Sequence, residues 1–443
     1  MQATTLPPPA VSLKEAFLYW LKLGFISFGG PAGQIALMHA ELVEKRRWIS
    51  EARFLHALNY CMLLPGPEAT QLAVYIGWLM HKTRGGIMAG VLFILPSMIV
   101  LILLSWVYMR FGNNDIVRAV MAGIKPAIVA IVVAAAWRIG QRTLKSSFLI
   151  GIAAMSLLAI AVFKIPFPAI IVGAALLGFL FQAQCNIVKT NASSDAAIIA
   201  SIRLAIIDDN SPTPAHAKFS WKHLLWVAVF GIACAGAICA LLIACFGKQH
   251  PLMDMAWFFT KTALLCFGGA YAVLPYVVQG AVEHFHWLNA SQMIDGLALG
   301  ETTPGPLIMI VAFVGFLGGW NKAFLGTDSV FLAASLAASV SCFFTFLPSF
   351  IFILAGGPLV ESTRNNLRLS APLNAISAAV VGVILSLALF FASHVFYDIA
   401  GQLNYAAIAL AIFASIAIFR YQVSTIHLLL ASAIAGIFLP AFH

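Results

Sequence analysis

The chain has 443 residues, of which 62% are hydrophobic and only 9% are charged. A soluble domain carries about 25% charged residues, so this composition excludes a soluble globular protein and predicts a polytopic membrane protein. The net charge of +9 is typical of basic cytoplasmic loops in such proteins, and it gives no reason to expect a nucleic-acid partner.

Two broken helical hairpins are predicted at the start of the chain. Residues 12–27 are apolar but shorter than the roughly 20 residues of a full span, and they end at a break with two glycines and a proline, residues 28–31. The second hairpin breaks at Pro-Gly-Pro, residues 65–67. The returning helices end at the basic clusters 45–47 and 81–84, so both hairpins are predicted to enter from the cytoplasm.

Ordinary spans and a polar linker follow the hairpins. Full spans are predicted at residues 86–109, 119–137, 147–163 and 165–182, with one further span at 221–246. The one long polar stretch is assigned to the cytoplasm as a linker between the halves. The predicted segments are an N-terminal tail 1–11, a first transmembrane repeat 12–182, a cytoplasmic linker 183–219, a linking span 220–250 and a second transmembrane repeat 251–443.

The second half of the chain repeats the first. Lys22 and Gly66 of the first half recur as Lys261 and Gly305, at a constant offset of 239 residues (261 − 22 and 305 − 66). The breaks around them recur at the same offset. A second anchor, Leu-Pro-Ser, occurs at 95–97 and again at 347–349. The chain is therefore one half-unit used twice, which is the signature of a duplicated architecture.

The odd span between the repeats inverts whatever follows it. The second pair of hairpins, around 257–285 and 290–315, is therefore predicted to enter from outside. The basic cluster 45–47 is replaced by His-Phe-His at 284–286, in agreement with the positive-inside rule. The predicted fold is an all-α polytopic membrane protein with two inverted-topology repeats, each with two broken-helix hairpins and about four spans, joined by one extra transmembrane span.

The four breaks predict a binding site for an anion. A helix begins after each break, and each N-terminus carries free N–H groups and about half a positive charge. Inverted-repeat transporters bind their substrates at such breaks. The alternative is that Gly-Gly and Pro-Gly-Pro only allow tight packing and kinks. The candidate substrate-binding residues lie at or near the breaks: Lys22, Phe28, Gly29, Gly30, Gln34, Pro65, Gly66, Pro67, Thr70, Gln71, Lys261, Phe267, Gly268, Gly269, Tyr271, Thr302, Thr303, Pro304, Gly305 and Pro306.

Four charged residues near the breaks allow two interpretations each. An intramembrane lysine is a functional candidate, but Lys22 and Lys261 lie on short helices and could instead extend to the membrane interface. Glu68 and Glu301 flank the two Pro-Gly-Pro breaks, and we predict them as candidates for coupling transport to protons. The alternative for Glu68 is that it stabilises the first turn of its own helix.

These motifs resemble those of the chromate ion transporter family in its long, two-domain form. The matching stretches are residues 27–34, 46–48 and 63–71 in the first half, and 267–271 and 300–306 in the second. The resemblance implies secondary active export of chromate, a tetrahedral dianion, across the bacterial inner membrane. It also implies coupling to the proton gradient or to exchange against another anion.

Three alternative functions stay open at this stage. Sulfate has the shape and charge of chromate, so an uptake or exchange permease for sulfate or another oxyanion is one alternative. A passive anion channel is the second. A membrane enzyme is the third, and the sequence shows no constellation of acid–base, nucleophilic or metal-binding residues that would favour it. We expect no metal or other cofactor. The expected partners are the oxyanion and the lipid bilayer, and a homodimer is one of the open oligomeric states.

Overall fold

The structure, a computed structural model, describes residues 11–112, 114–181, 205–208, 215–217, 220–362, 370–397 and 401–438. These ranges contain sixteen α-helices and no β-strand, which confirms the predicted all-α class. Most of the predicted tail 1–11 and of the predicted linker 183–219 lies outside the described residues.

The first half and the linking span contain eight helices. The first two hairpins are formed by α1 to α4, and α2 continues as a π-helical turn, Ala40–Lys45. The helices are α1 (Leu13–Ile26), α2 (Gly30–His39), α3 (Glu51–Cys61), α4 (Glu68–Phe111), α5 (Asp115–Thr143), α6 (Ser147–Ala161), α7 (Phe167–Leu180) and the linking helix α8 (Trp221–Phe246).

The second half repeats this order of elements. A π-helical turn, Gln279–His284, again follows the second helix of the half, and a short 3₁₀ turn, Leu307–Met309, follows the second Pro-Gly-Pro break. The helices are α9 (Pro251–Leu264), α10 (Ala270–Val278), α11 (Ala290–Thr302), α12 (Ile310–Lys322), α13 (Val330–Ser362), α14 (Ser370–Val395), α15 (Tyr405–Tyr421) and α16 (Thr425–Phe438).

The second hairpin of the first half ends inside α4. His81 and Lys82 leave the helical region, with a φ of 58° at Lys82. A Cβ atom at Gly77 would meet the carbonyl oxygen of Gly85 and the side chain of Ala89. Residues eight positions apart in one straight helix are about 12 Å apart. The chain therefore reverses at Lys82, and α4 consists of a returning hairpin arm and a following span that pack side by side.

The two halves interlock. Helix α14 of the second half packs against α5, α6 and α7 of the first, and α15 and α16 also pack on α5. Helix α13 packs on α4 as well as on its own neighbours α9 and α12. Residues of both halves therefore contribute to one continuous apolar core, and the breaks of the two halves can approach one another within it.

Some of the spans are shorter than predicted. Within the described ranges, five helical segments are long and apolar enough to cross a membrane: Glu68–Phe111, Asp115–Thr143, Trp221–Phe246, Thr327–Pro358 and Ala371–Val395. Helices α6, α7, α15 and α16 have only 14 to 17 residues, or about 21–26 Å, against about 30 Å of hydrocarbon. Between α6 and α7 the break is local, because Lys164 has a φ of 54° and Pro166 precedes the next helix.

The described part of the linker lies against the end of the first hairpin. The amide N–H groups of Ile206 and Ile207 donate to the carbonyl oxygens of Arg47 and Trp48 at 3.0 and 3.1 Å, and Ser50 N–H donates to Ile207 at 3.0 Å. These residues therefore lie on the same side of the molecule as the basic cluster 45–47.

The predicted inversion of the two halves implies opposite accessibility of two hairpin ends. Single cysteines at Thr83 and Lys322, in a variant without the native cysteines, should react with a membrane-impermeant thiol reagent from opposite sides. Intact cells and inside-out vesicles give the two measurements. Labelling of both positions from the same side would contradict the inverted repeat.

A buried ion pair ties α11 to α4 and α5. Lys125 Nζ lies 3.4 Å from a carboxylate oxygen of Asp295, and the Tyr108 hydroxyl donates to the other oxygen at 2.8 Å. The Asp295 side chain is only 5% exposed, so its ion pair is shielded from water. Removal of the Asp295 charge leaves Lys125 without a paired anion. We expect Asp295→Asn to lower the free energy of unfolding by about 2 kcal/mol, less than for a fully buried pair because Lys125 is partly exposed.

Thermal unfolding in detergent measures this effect, and α5 supplies the matched control. Asp115 pairs with Arg118 in an exposed ion pair, with side chains that are 82% and 65% exposed. Asp115→Asn should therefore leave the midpoint nearly unchanged. Equal midpoints for the two asparagine variants would show that the buried pair contributes nothing.

Candidate functional site

The structure brings the four breaks together around one small cavity, which we call the break cavity. Its wall contains the first residues of α2, α4 and α10 and of the 3₁₀ turn that leads into α12. Each half contributes two of these four N-termini. The lining residues are Pro31, Gln34, Pro67, Glu68, Ala69, Ala270, Pro306, Leu307 and Ile308.

Two equivalent backbone hydrogen bonds join the breaks of opposite halves. The N–H of Gly66 donates to the carbonyl oxygen of Cys266 at 2.7 Å, and the N–H of Gly305 donates to that of Ser27 at 2.7 Å. Both pairs follow the repeat offset (305 − 66 and 266 − 27 are each 239). Each half therefore holds the Pro-Gly-Pro break of the other in place.

The backbone at the breaks requires glycine. All six break glycines have a positive φ, a region that other residues enter only at a steric cost. This explains why the sequence places glycine at these positions in both halves. The glycines are Gly29, Gly30, Gly66, Gly268, Gly269 and Gly305.

The N-termini at the break cavity have no side-chain cap. In the described part of the chain, the N-cap residues of α2, α4 and α10 and of the 3₁₀ turn before α12 make no side-chain cap hydrogen bond. Free N–H groups at a helix start are usually satisfied by such a cap or by a ligand. Seven other described helices do have a capping side chain: Ser12, Ser50, Asn114, Ser146, His250, Asn289 and Asn404.

Three polar side chains from the first half support the site. Gln34 is fully buried, and its Nε2 donates to the carbonyl oxygen of Gly305 at 2.5 Å. Gln71 Nε2 donates to the carbonyl oxygen of Pro65 at 2.8 Å. The Thr70 hydroxyl is buried and has no hydrogen-bond partner among the described residues. The two amides therefore fix the breaks, and Thr70 retains a free donor.

The two predicted coupling acids lie at and near the cavity. Glu68 lines it directly. Glu301 is 7% exposed, and its carboxylate accepts a hydrogen bond from the Tyr271 hydroxyl. Two arginines of α5 act on them from one helix face, because Arg142 interacts electrostatically with Glu68 and Arg138 with Glu301.

Arg138 and Arg142 are not among the site residues predicted from the sequence. Their spacing of four residues puts Arg138 and Arg142 on one face of α5, which was the available signal. Glu68 and Glu301 belong to distant segments of the chain, so their electrostatic interaction with the arginines could be found only in the tertiary structure.

Several predicted site residues do not reach the cavity. Lys22 and Lys261 are exposed, and Lys261 Nζ lies 4.9 Å from the ring centroid of Trp257. Phe28 is 38% exposed. The hydroxyls of Thr302 and Thr303 donate to carbonyl oxygens of their own helix, α11. Pro65, Phe267 and Pro304 adjoin the breaks but do not line the cavity.

The placement of the lysines favours the interpretation that they extend to the membrane interface. We expect Lys22→Met and Lys261→Met to bind a tetrahedral oxyanion with affinity close to that of the wild type. Equilibrium binding to purified protein checks this. A tenfold loss of affinity with normal expression would show that the lysines contribute to oxyanion binding.

In this conformation the break cavity is too small for a tetrahedral anion. Its volume is about 10 Å³, which is the space that one water molecule needs. A tetrahedral oxyanion needs several times that volume. The four N-termini must therefore move apart before such an anion can bind among them.

Comparison with known proteins identifies the family of the chain. The chromate transporter family matches residues 14–179 and 253–437, which are the two halves without the linker. A chromate transport protein of Pseudomonas aeruginosa is 31% identical over 382 residues, covering 85% of this chain and 80% of that protein. The chromate transport protein of Cupriavidus metallidurans is 27% identical over 393 residues, covering 88% and 85%.

A probable chromate transport protein of Synechococcus elongatus is also 27% identical, over 382 residues that cover 85% of this chain and 84% of that protein. No solved structure matches the chain. The family matches both halves, and the relatives span most of the chain. The protein is a multi-pass membrane transporter and not an enzyme, and it belongs to the chromate transporter family.

Proposed function

We propose that the protein exports chromate by secondary active transport and binds it in the break cavity. The observation that carries this proposal is the convergence of four uncapped helix N-termini on one buried point. Each N-terminus is equivalent to about half a positive charge, so four supply about two charges, which matches a dianion. The site needs no arginine or lysine in contact with the anion.

The small size of the cavity supports a carrier over a passive channel. A channel in its conducting state needs a continuous pore, whereas this cavity has room for one water and two hydrogen bonds join the halves at the breaks. Opening of the cavity requires one half to move against the other and to break the reciprocal hydrogen bonds at Gly66 and Gly305. Alternating access in inverted-repeat transporters is a movement of this kind.

We further propose that the protein lies in the bacterial inner membrane and that Glu68, Glu301 or both couple transport to protons. Glu68 lines the cavity, so a bound dianion and an ionised carboxylate would repel each other there. Exchange against a second anion is the other coupling mode. Sulfate is the main alternative substrate, because the dipoles of helix termini recognise charge and shape and do not distinguish the central atom.

Transport into proteoliposomes tests the proposal. Purified protein should accumulate chromate when a proton gradient is imposed, and an excess of sulfate inside or outside should reveal exchange or competition. Protein-free liposomes and liposomes with a dissipated gradient are the controls. If chromate only equilibrates across the membrane, with or without the proton gradient and in the absence of a second anion, the protein is a channel. Accumulation of sulfate but not chromate would establish the alternative substrate.

A further inference from the structure

Two serines lie directly behind the Pro-Gly-Pro breaks. A Cβ atom on Gly305 would meet the side chain of Ser97, and a Cβ atom on Gly66 would meet that of Ser349. Ser97 and Ser349 are the serines of the duplicated Leu-Pro-Ser motif, at equivalent positions of the two halves (349 − 97 is 252, as is 347 − 95). Each half therefore places one serine against the break of the other half.

Both hydroxyls are buried and unpartnered. Ser97 and Ser349 are 0% exposed, and neither hydroxyl has a hydrogen-bond partner among the described residues. A serine in a helix usually donates to the carbonyl four residues earlier. Ser105 in α4 and Ser341 in α13 do so, at 2.6 and 2.8 Å. The two motif serines lie on the same two helices and leave this bond unmade.

A buried hydroxyl without a hydrogen-bond partner destabilises the protein. Because such a hydroxyl occurs at equivalent positions of both halves, its presence indicates a ligand that accepts its hydrogen bond in another conformation. The breaks must part to admit an anion, because the cavity is too small for one. Gly66 and Gly305 have no side chain, so a movement of either one uncovers the hydroxyl behind it. A hydroxyl supplies one donor and no charge, which suits the oxygen atoms of an oxyanion.

We propose that Ser97 and Ser349 are substrate-binding residues that each donate a hydrogen bond to a tetrahedral oxyanion in the break cavity. The inference rests on the proposed function and adds two ligands from the scaffold helices α4 and α13. With them, the anion is held by backbone N–H groups at the helix starts and by one hydroxyl from each half. The oxygen atoms of a tetrahedral anion point in different directions, so the two halves can donate to different oxygen atoms.

Chromate binding to purified protein, measured by equilibrium dialysis, tests the inference. Ser97→Ala and Ser349→Ala should each weaken binding about tenfold, and the double variant about a hundredfold, because a hydrogen bond to a charged group is lost in each case. Ser105→Ala and Ser341→Ala are the matched controls. They are equally buried serines on the same helices, and their affinity should stay within about twofold of the wild type.

Unfolding of the ligand-free protein separates binding from folding. Removal of an unpartnered buried hydroxyl should leave the unfolding midpoint unchanged or raise it. Weaker binding with an unchanged midpoint supports the inference. Affinities equal to the controls, or a loss of affinity that follows a lowered midpoint, would overturn it while leaving the proposed function in place. If the wild type binds neither chromate nor sulfate, the proposed function itself fails, and this inference with it.

Discussion

Gly66→Ala and Gly305→Ala should each abolish chromate transport. The two glycines have φ values of 127° and 103°, and forcing an L-residue into such a conformation costs about 1–2 kcal/mol. The added methyl group would also collide with Ser349 or Ser97, and overpacking of this kind costs about 1–3 kcal/mol. The same two residues donate the hydrogen bonds that join the halves, so each substitution also disturbs a contact at the binding site.

Gly151→Ala and Gly173→Ala provide the comparison. Both glycines lie inside helices, and a Cβ atom at either position would meet nothing within 4 Å. These variants should transport normally, with a small gain in stability, because alanine favours a helix by about 1 kcal/mol over glycine. Chromate flux in proteoliposomes is the readout. Normal flux in Gly66→Ala or Gly305→Ala would show that the geometry of the breaks is not needed for transport.

Glu68→Gln and Glu301→Gln should abolish accumulation of chromate against a gradient while keeping or improving its binding. A carboxylate about 5 Å from a dianion costs about 7 kcal/mol at an effective dielectric constant of about 20. Protonation removes this repulsion, so binding of the anion and binding of a proton favour each other, and the linkage is reciprocal. Glutamine mimics the protonated acid permanently. The pH dependence of chromate binding should therefore flatten.

The Glu301 variant is a mild change because a glutamine oxygen can still accept the hydrogen bond from the Tyr271 hydroxyl. Glu283→Gln is the control, since Glu283 is exposed at the end of the second-half hairpin. It should keep both the uphill transport and the pH profile of the wild type. If Glu68→Gln, Glu301→Gln and the double variant all transport uphill with an unchanged profile, neither acid couples transport to protons.

The breaks were predictable because their signal is local. Gly-Gly and Pro-Gly-Pro interrupt apolar helices wherever they occur, and their duplication in register marked them as features of the fold. The same local signal predicted that helices begin at residues such as Glu68 and Ala270. The sequence could not show that all four starts meet, because that depends on contacts such as Gly66 to Cys266, between residues 200 positions apart (266 − 66).

Other parts of the site depend on packing that no local pattern records. Ser97 and Ser349 were visible only as markers of the repeat, and their position behind the breaks follows from the packing of α4 and α13. Lys22 and Lys261 precede each break by a fixed interval, yet the helix rotation turns them outward. The apolar stretches that became α6 and α7 look long enough to span the membrane, but irregular backbone around Lys164 shortens both.

Anomalous X-ray diffraction can locate the bound substrate. Chromium scatters X-rays anomalously, so a crystal grown with chromate should show one strong anomalous peak per chain. We expect that peak in an opened break cavity, between Glu68, Ala270 and Ile308, with Ser97 and Ser349 close to the oxygen atoms of the chromate ion. A chromate ion bound elsewhere, such as beside Lys22 or Lys261, with the break cavity still too small for an anion, would contradict the account.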